Sequence, residues 1–312
     1  FACLRDWLAP AVVGRSVDSG KSLQELLVGF RGNQFAKAAL DIAWWDLHAR
    51  IAGKPLHQML GGRHDAVEVG VGFDQMDNID DFFKAIAAAF EAGYARVELK
   101  MRPGWDINML NAVRHEFPAQ DLHADVEAAL RLDQMDILHR LDDFMLTMVE
   151  QPLAADDLVG HAMVQETIRT PISLDESITT VEQAEMAIEL KSGQYVNVKP
   201  GRVGGLTQAV AIHDACRDAE IPCWVGAMPE SAVGMRAGIA LATKENFRYP
   251  ADFFPPGESL QQDLAEPLVP LRDRDDEPLR LPLWSEPGIG IEPDTKLVDK
   301  FCLARAKVQG EG

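Results

Sequence analysis

The chain has 312 residues, and its 49 Asp+Glu against 30 Lys+Arg give a formal charge of −19, so it lacks the clustered positive charge that a nucleic-acid or anionic-membrane binder needs. At 47% hydrophobic and 25% charged residues the composition is that of an ordinary globular protein with a large core, which excludes global disorder. No apolar run reaches about 18 residues and the start lacks a secretory layout, so a soluble, cytoplasmic protein with reduced and mostly buried Cys3, Cys216, Cys223 and Cys302 is expected.

In chain order, residues 1–65 read as helical. FACLRDWLAP opens the chain inside a helix, Leu23, Leu26, Leu27 and Phe30 make a short apolar face, and Phe35–Leu47 is an alanine-rich helix that Gly53 and Pro55 end. Gly61-Gly62 closes a second short turn. From residue 66 short apolar stretches alternate with amphipathic segments, which is the pattern of repeated βα units and a parallel sheet. The expected strands are Val67–Gly72, Arg96–Met101, Leu122–Val126, Leu146–Glu150, Ile172–Asp175, Tyr195–Lys199, Cys223–Gly226 and, less clearly marked, Phe247–Phe253. Between them, Asp80–Glu91, Ile107–Phe117, Leu132–Leu141, Asp157–Ile168, Thr180–Leu190 and Leu206–Ala219 each carry one apolar helical face. Eight strands fit an α/β barrel of the (β/α)8 kind over residues 66–250, and no Gly-x-Gly-x-x-Gly follows a strand to favour a dinucleotide fold. Residues 251–312 are irregular and rich in proline and acid, from Pro255-Pro256-Gly257 to Pro293, and are expected to return to the first helices.

The informative feature is a spacing. Lys100, Asp125, Glu150, Asp175 and Lys199 lie 25, 25, 25 and 24 residues apart, each at or beside the C-terminal end of an expected strand. In a barrel that end is the rim on which active sites are built. Three carboxylates converging there would repel one another unless a cation neutralised them, and oxygen-only donors suit a hard ion such as Mg²⁺, with Mn²⁺ as an alternative. Two flanking lysines would then face each other across a bound small-molecule carboxylate, a layout for removing the proton α to that carboxylate. Glu176 competes with Asp175 as the third donor. The eight histidines are scattered; only His123, two residues before Asp125 on the same strand face, comes near the ring, and none is assigned a catalytic role.

These residues carry a resemblance. Ala38–Gly62 with Trp45-Asp46 and Leu60-Gly61-Gly62 resembles the capping-domain helix of the enolase superfamily. Leu99-Lys100, Asp125, Val149-Glu150-Gln151-Pro152-Leu153, Leu174-Asp175-Glu176-Ser177 and Asn197-Val198-Lys199-Pro200-Gly201-Arg202-Val203-Gly204-Gly205 resemble its muconate cycloisomerase subgroup. Arg102-Pro103-Gly104-Trp105-Asp106, Ala154–Leu158 and Gly288-Ile289-Gly290 are similar to the branch of o-succinylbenzoate synthases and N-acylamino acid racemases. The resemblance implies a (β/α)7β barrel with an α+β capping domain, Asp125, Glu150 and Asp175 as Mg²⁺ ligands, and Lys100 and Lys199 as the acid/base pair. It implies a dehydration that makes an aromatic precursor of menaquinone, or a racemisation by proton exchange on two faces. A cycloisomerase or a dipeptide or amino-acid epimerase is the alternative within the class, and a non-catalytic metal-binding relative the alternative outside it. A homo-oligomer is also expected.

Three departures from the family pattern stand out. Where relatives have Lys-x-Lys, this chain has Glu98-Leu99-Lys100, so an anion shares the strand face of Lys100 and is expected to make it a weaker base than Lys199. The alternative is that Glu98 turns away to Arg96 or Arg102. Glu127 stands where the family carries Asn and could compensate Lys100, join the metal shell or sit on the rim; with Glu98 it leads to the expectation of a substrate bearing an amine or other cation. Finally, the chain opens at Phe1 without Met, so the small leading sheet of such relatives is expected to be missing. Arg202, Met228 and Glu230 complete the candidate substrate contacts, with a structural role in capping the next helix as the alternative for Glu230.

Overall fold

A computed structural model describes residues 1–254 and 262–309; the expected irregular start at Pro255–Gly257 lies outside them. Eight parallel strands follow one another around a ring: β1 Ala66–Phe73, β2 Val97–Lys100, β3 Leu122–Asp125, β4 Val149–Glu150, β5 Ile172–Leu174, β6 Tyr195–Asn197, β7 Cys223–Trp224 and β8 Ala251–Asp252. Their order is β7-β6-β5-β4-β3-β2-β1-β8. The ring closes between its last members where the amide of Asp252 donates to the Val225 carbonyl at 3.0 Å and Cys223 bridges Phe247. The strand expected least clearly is thus real and short, and lies within the expected Phe247–Phe253. A ninth strand, β9 Arg280–Pro282, lies antiparallel on the outside of β1; its single apolar residue, Leu281, between Arg280 and Pro282 leaves too little pattern to read.

The crossover helices form where apolar faces were spaced for them, and their ends follow local chemistry. Asn78 and Thr180 accept from the amides of Asp80 and Gln183 to start Ile79–Ala92 and Val181–Leu190. The stretch 132–144 departs from expectation: it is a short helix, Met135–Arg140, between two tighter 3₁₀ turns. The buried apolar residues form one large core between sheet and helices, and a small second one gathers Leu8, Leu23 and Leu27 under the first helices. Cys216 and Cys223 are buried free thiols, but Cys3 is half-buried and Cys302 exposed, because the latter sits in the loosely packed final segment.

The helix Gln34–Ile51 fastens the helical region to the barrel. Its Asp41, fully buried, accepts from the Thr207 amide at 2.9 Å and from Gln24 Nε2 at 3.0 Å. It therefore caps, from another helix, the start of Leu206–Asp218, whose own N-cap is Gly205 and offers no side chain. Gly205 has φ +119°, and a Cβ there would lie 2.4 Å from Asp41, so glycine is required on both counts. The final segment returns to the same region: the Ile289 amide donates to Asp46 of that helix at 2.7 Å, and the Leu56 amide, in the short helix that follows it, donates to the Gly288 carbonyl at 2.8 Å. Among the described residues no helix is long and apolar enough to cross a membrane.

Candidate functional site

Strand register decides which side chains meet. Across β2, β3 and β4, Lys100 pairs with Asp125 and Asp125 with Glu150, so these three stand level on the inner face. One step lower Glu98 pairs with His123. The ladder then slips: Glu150 pairs with Ser173, and Asp175 lies two residues further towards the mouth. An even sequence spacing thus becomes a climbing ring, as the stagger of a closed barrel requires.

At the C-terminal end of the strands a cavity of about 250 Å³ is lined by Glu98, Lys100, Asp125, Glu150, Lys199 and Asp252, with Gly72, Asp74, Ala227, Phe253 and Phe254. Lys199 Nζ donates to Asp175 Oδ2 at 2.8 Å. Gly226 gives it room, since a Cβ there would lie 2.5 Å from Lys199 Cε and 2.2 Å from Asn197 Oδ1. Arg202 lies in an ion pair with the other oxygen of Asp175. Glu176, the competing donor, is the more exposed neighbour and meets Arg202 at 3.8 Å.

Lys100 is held on three sides, by Asp125, by Glu98 at 3.0 Å and by Glu127 at 3.2 Å. Burial pulls its pKa down, but Glu98 and Asp125 outweigh that and hold it above the ordinary lysine range. Glu98 is inside the pocket yet also meets Arg96 at 3.2 Å, so both alternatives for its direction hold at once. Burial pushes Glu98 up, and His123, Lys100 and Arg96 together bring it well below the usual carboxylate range. Asp125 is raised to about 8 by its burial and by Glu150 and Glu98. The two added acids are ion-paired within the protein, Glu98 with Arg96 and Lys100, and Glu127 with Lys100 and Arg102. Met228 and Glu230 are not among the residues lining this cavity. Glu230 lies against Gly234 in the first turn of the helix Ala232–Ala242, and Ser231 caps that turn by accepting from the Gly234 amide.

The three expected metal ligands stand on successive strands, Asp125 and Glu150 level in register and Asp175 two residues further towards the mouth. Asp125 and Asp175 face Lys100 and Lys199, because each outer carboxylate draws the nearest cation of the chain. Glu150 Oε1 accepts from Asn197 Nδ2 at 2.8 Å, while its Oε2 is buried without a hydrogen-bond partner among the described residues. Among the described residues, donors of Glu98, His123 and Glu150 lie within 4.8 Å of one another. Sequence reasoning had passed over Asn197, Asp252 and Gln151. Asn197 could have been found two residues before Lys199 on the same face, and Asp252 lay in the faint eighth strand.

Gln151 supports the rim from beneath. Fully buried, with φ +38°, it accepts from the amides of Asp175 at 2.9 Å and Ser177 at 3.2 Å. Its Nε2 donates to the Leu153 carbonyl at 3.0 Å and to Ser177 Oγ at 2.8 Å. His161 braces the same turn: its Nε2 accepts from the Leu153 amide at 3.2 Å and its Nδ1 meets the Asp157 carbonyl at 2.7 Å, which makes Nδ1 the protonated nitrogen.

Comparison with known proteins agrees with this architecture. Residues 81–297 match the family described as "Enolase C-terminal domain-like", and residues 2–61 match "Mandelate racemase / muconate lactonizing enzyme, N-terminal domain". The chain is 39% identical over 300 residues to an N-succinylamino acid racemase of Thermus thermophilus, covering 96% of this chain and 80% of that protein. It is 40% identical over 298 residues to an o-succinylbenzoate synthase of Geobacillus kaustophilus, covering 96% and 78%. A crystal structure of an enolase-superfamily member from Listeria innocua superposes with a TM-score of 0.88 at 33% identity, covering 96% of this chain and 79% of that one.

Proposed function

The chain belongs to the enolase superfamily, and from that premise we propose that it removes the proton α to the carboxylate of a small molecule, acting as an o-succinylbenzoate synthase. The observation that carries the reading is the placement of two lysines, Lys100 and Lys199, in one cavity with Asp125 and Glu150. Asp125, Glu150 and Asp175 would hold the ion. An oxygen-only donor set suits Mg²⁺, with Mn²⁺ as a substitute. Two features of these residues fit a cation: the open, buried Glu150 Oε2, and an Asp125 proton held up to about 8 by neighbouring carboxylates, which a cation would release. When bound, the ion supplies positive charge to offset the charge that builds on the substrate carboxylate as the α proton leaves.

The lysines are unequal. Lys199 has one carboxylate partner, Asp175, and takes the proton. Lys100, clamped by Glu98, Asp125 and Glu127, keeps its proton and supplies charge to the opposite face. Phe253 and Phe254 line the same cavity. N-succinylamino acid racemisation is the second reading, favoured by the Thermus relative. The test is α-proton exchange in deuterated water with Mg²⁺, on the synthase substrate and a panel of N-succinylamino acids. Lys199→Ala is expected to lower exchange by at least about a hundredfold; unchanged exchange refutes the assignment.

A further inference from the structure

We propose that Glu98, His123 and Glu150 form a nitrogen-containing site for a borderline divalent transition ion of the Zn²⁺ or Co²⁺ class, in the barrel interior below the oxygen-only trio. The proposal does not depend on the reaction above; Glu150 is the one donor the two sites share. Register places Glu98 opposite His123 on β2 and β3, with Glu150 on the next strand, β4. All three are buried, His123 completely. His123 Nε2 lies 3.3 Å from Glu98 Oε2 and 3.3 Å from Glu150 Oε2. Two donors each about 2.1 Å from an ion, at angles between octahedral and tetrahedral, stand about 3.0–3.4 Å apart, and both separations from His123 Nε2 match such an edge. Neither His123 Nε2 nor Glu150 Oε2 makes a hydrogen bond of acceptable geometry among the described residues.

The remaining atoms of the three side chains are already anchored. His123 Nδ1 meets Tyr249 Oη at 3.1 Å, Glu150 Oε1 accepts from Asn197 at 2.8 Å, and Glu98 Oε1 faces Lys100 at 3.0 Å. That is the outer support that orients metal ligands. The competing cation is Arg96, 3.2 Å from Glu98 Oε2. It also holds Asp252 and the Pro250 carbonyl, so it retains partners when an ion takes Oε2. An imidazole in the donor set turns selectivity away from Mg²⁺.

The test uses the whole chain, stripped with chelator, saturated with Mg²⁺ and titrated with Co²⁺. One Co²⁺ is expected to bind that excess Mg²⁺ does not displace. Its affinity should fall by more than about a hundredfold in His123→Gln and Glu98→Gln, a larger loss than an outer-sphere change gives. Asp175→Asn, which removes only an oxygen-site donor, should leave it within a few-fold. Pulsed EPR of the unaltered chain, saturated with Mg²⁺ and loaded with one equivalent of Co²⁺, should show coupling to an imidazole ¹⁴N, and this measurement decides the matter if His123→Gln does not fold. Absence of that coupling, Co²⁺ binding that survives His123→Gln, or Co²⁺ binding lost in Asp175→Asn and to Mg²⁺ overturns the proposal.

Discussion

Gln151→Met removes the hub beneath the rim while keeping side-chain volume. The amides of Asp175 and Ser177 then lose their acceptor, and both residues are almost fully buried, so water does not replace it. Each orphaned buried N–H costs about 1–3 kcal/mol, so the substitution should destabilise the chain by about 2–6 kcal/mol. At this chain length each kcal/mol corresponds to about 2 °C, and Tm should fall by about 4–12 °C. Urea unfolding and thermal melting followed by circular dichroism measure both. Ser177→Ala, which removes one hydroxyl contact and leaves the two amide bonds in place, should cost no more than about 1.5 kcal/mol. Because the Asp175 amide loses its anchor in Gln151→Met, divalent-ion affinity should drop about 10–100-fold in that variant. A stability loss below about 1 kcal/mol would show that the two amides find other acceptors and that Gln151 does not hold the rim.

Three further outcomes are expected. Asp41→Ala removes the cap that one helix lends another and should lower the urea unfolding free energy by about 1–2 kcal/mol, without changing the slope of the transition. Burial holds the His161 pKa below the ordinary imidazole value, so its contribution to stability is present at neutral pH and is lost as pH falls through the folded-state value; stability plotted against pH should be flatter on the acid side for His161→Gln than for the unaltered chain. Dialysis against EDTA should abolish α-proton exchange, and Mg²⁺ at about 100 times its Kd should restore it and raise stability by about 2.7 kcal/mol in a thermal melt.

The alternation of short apolar runs with amphipathic segments was enough to read the barrel, because a strand buried on both faces and a helix buried on one leave different periods. Rim residues were legible for a related reason: a charge at the end of an apolar strand has few places to go but the mouth. Beyond that the pattern ran out. β9 is one buried leucine between an arginine and a proline, and Asp41 looks like any polar residue in an alanine-rich helix until Thr207 is seen against it.

Glu98, Glu127 and His123 mark the division most clearly. Their residue types and strand face follow from sequence, and so does the expectation that Glu98 weakens Lys100 as a base. Whether these acids face a substrate or one another depends on pairings across β2, β3 and β4 and on Arg96 and Arg102. In the structure those pairings set both acids in ion pairs within the protein and bring His123 against two carboxylates. One chain's sequence therefore determined the architecture and the chemistry available at its mouth, since period and residue type are local properties. The register slip between β4 and β5, and with it which carboxylate meets which cation, was decided only by closure of the barrel, because stagger is a property of the whole ring.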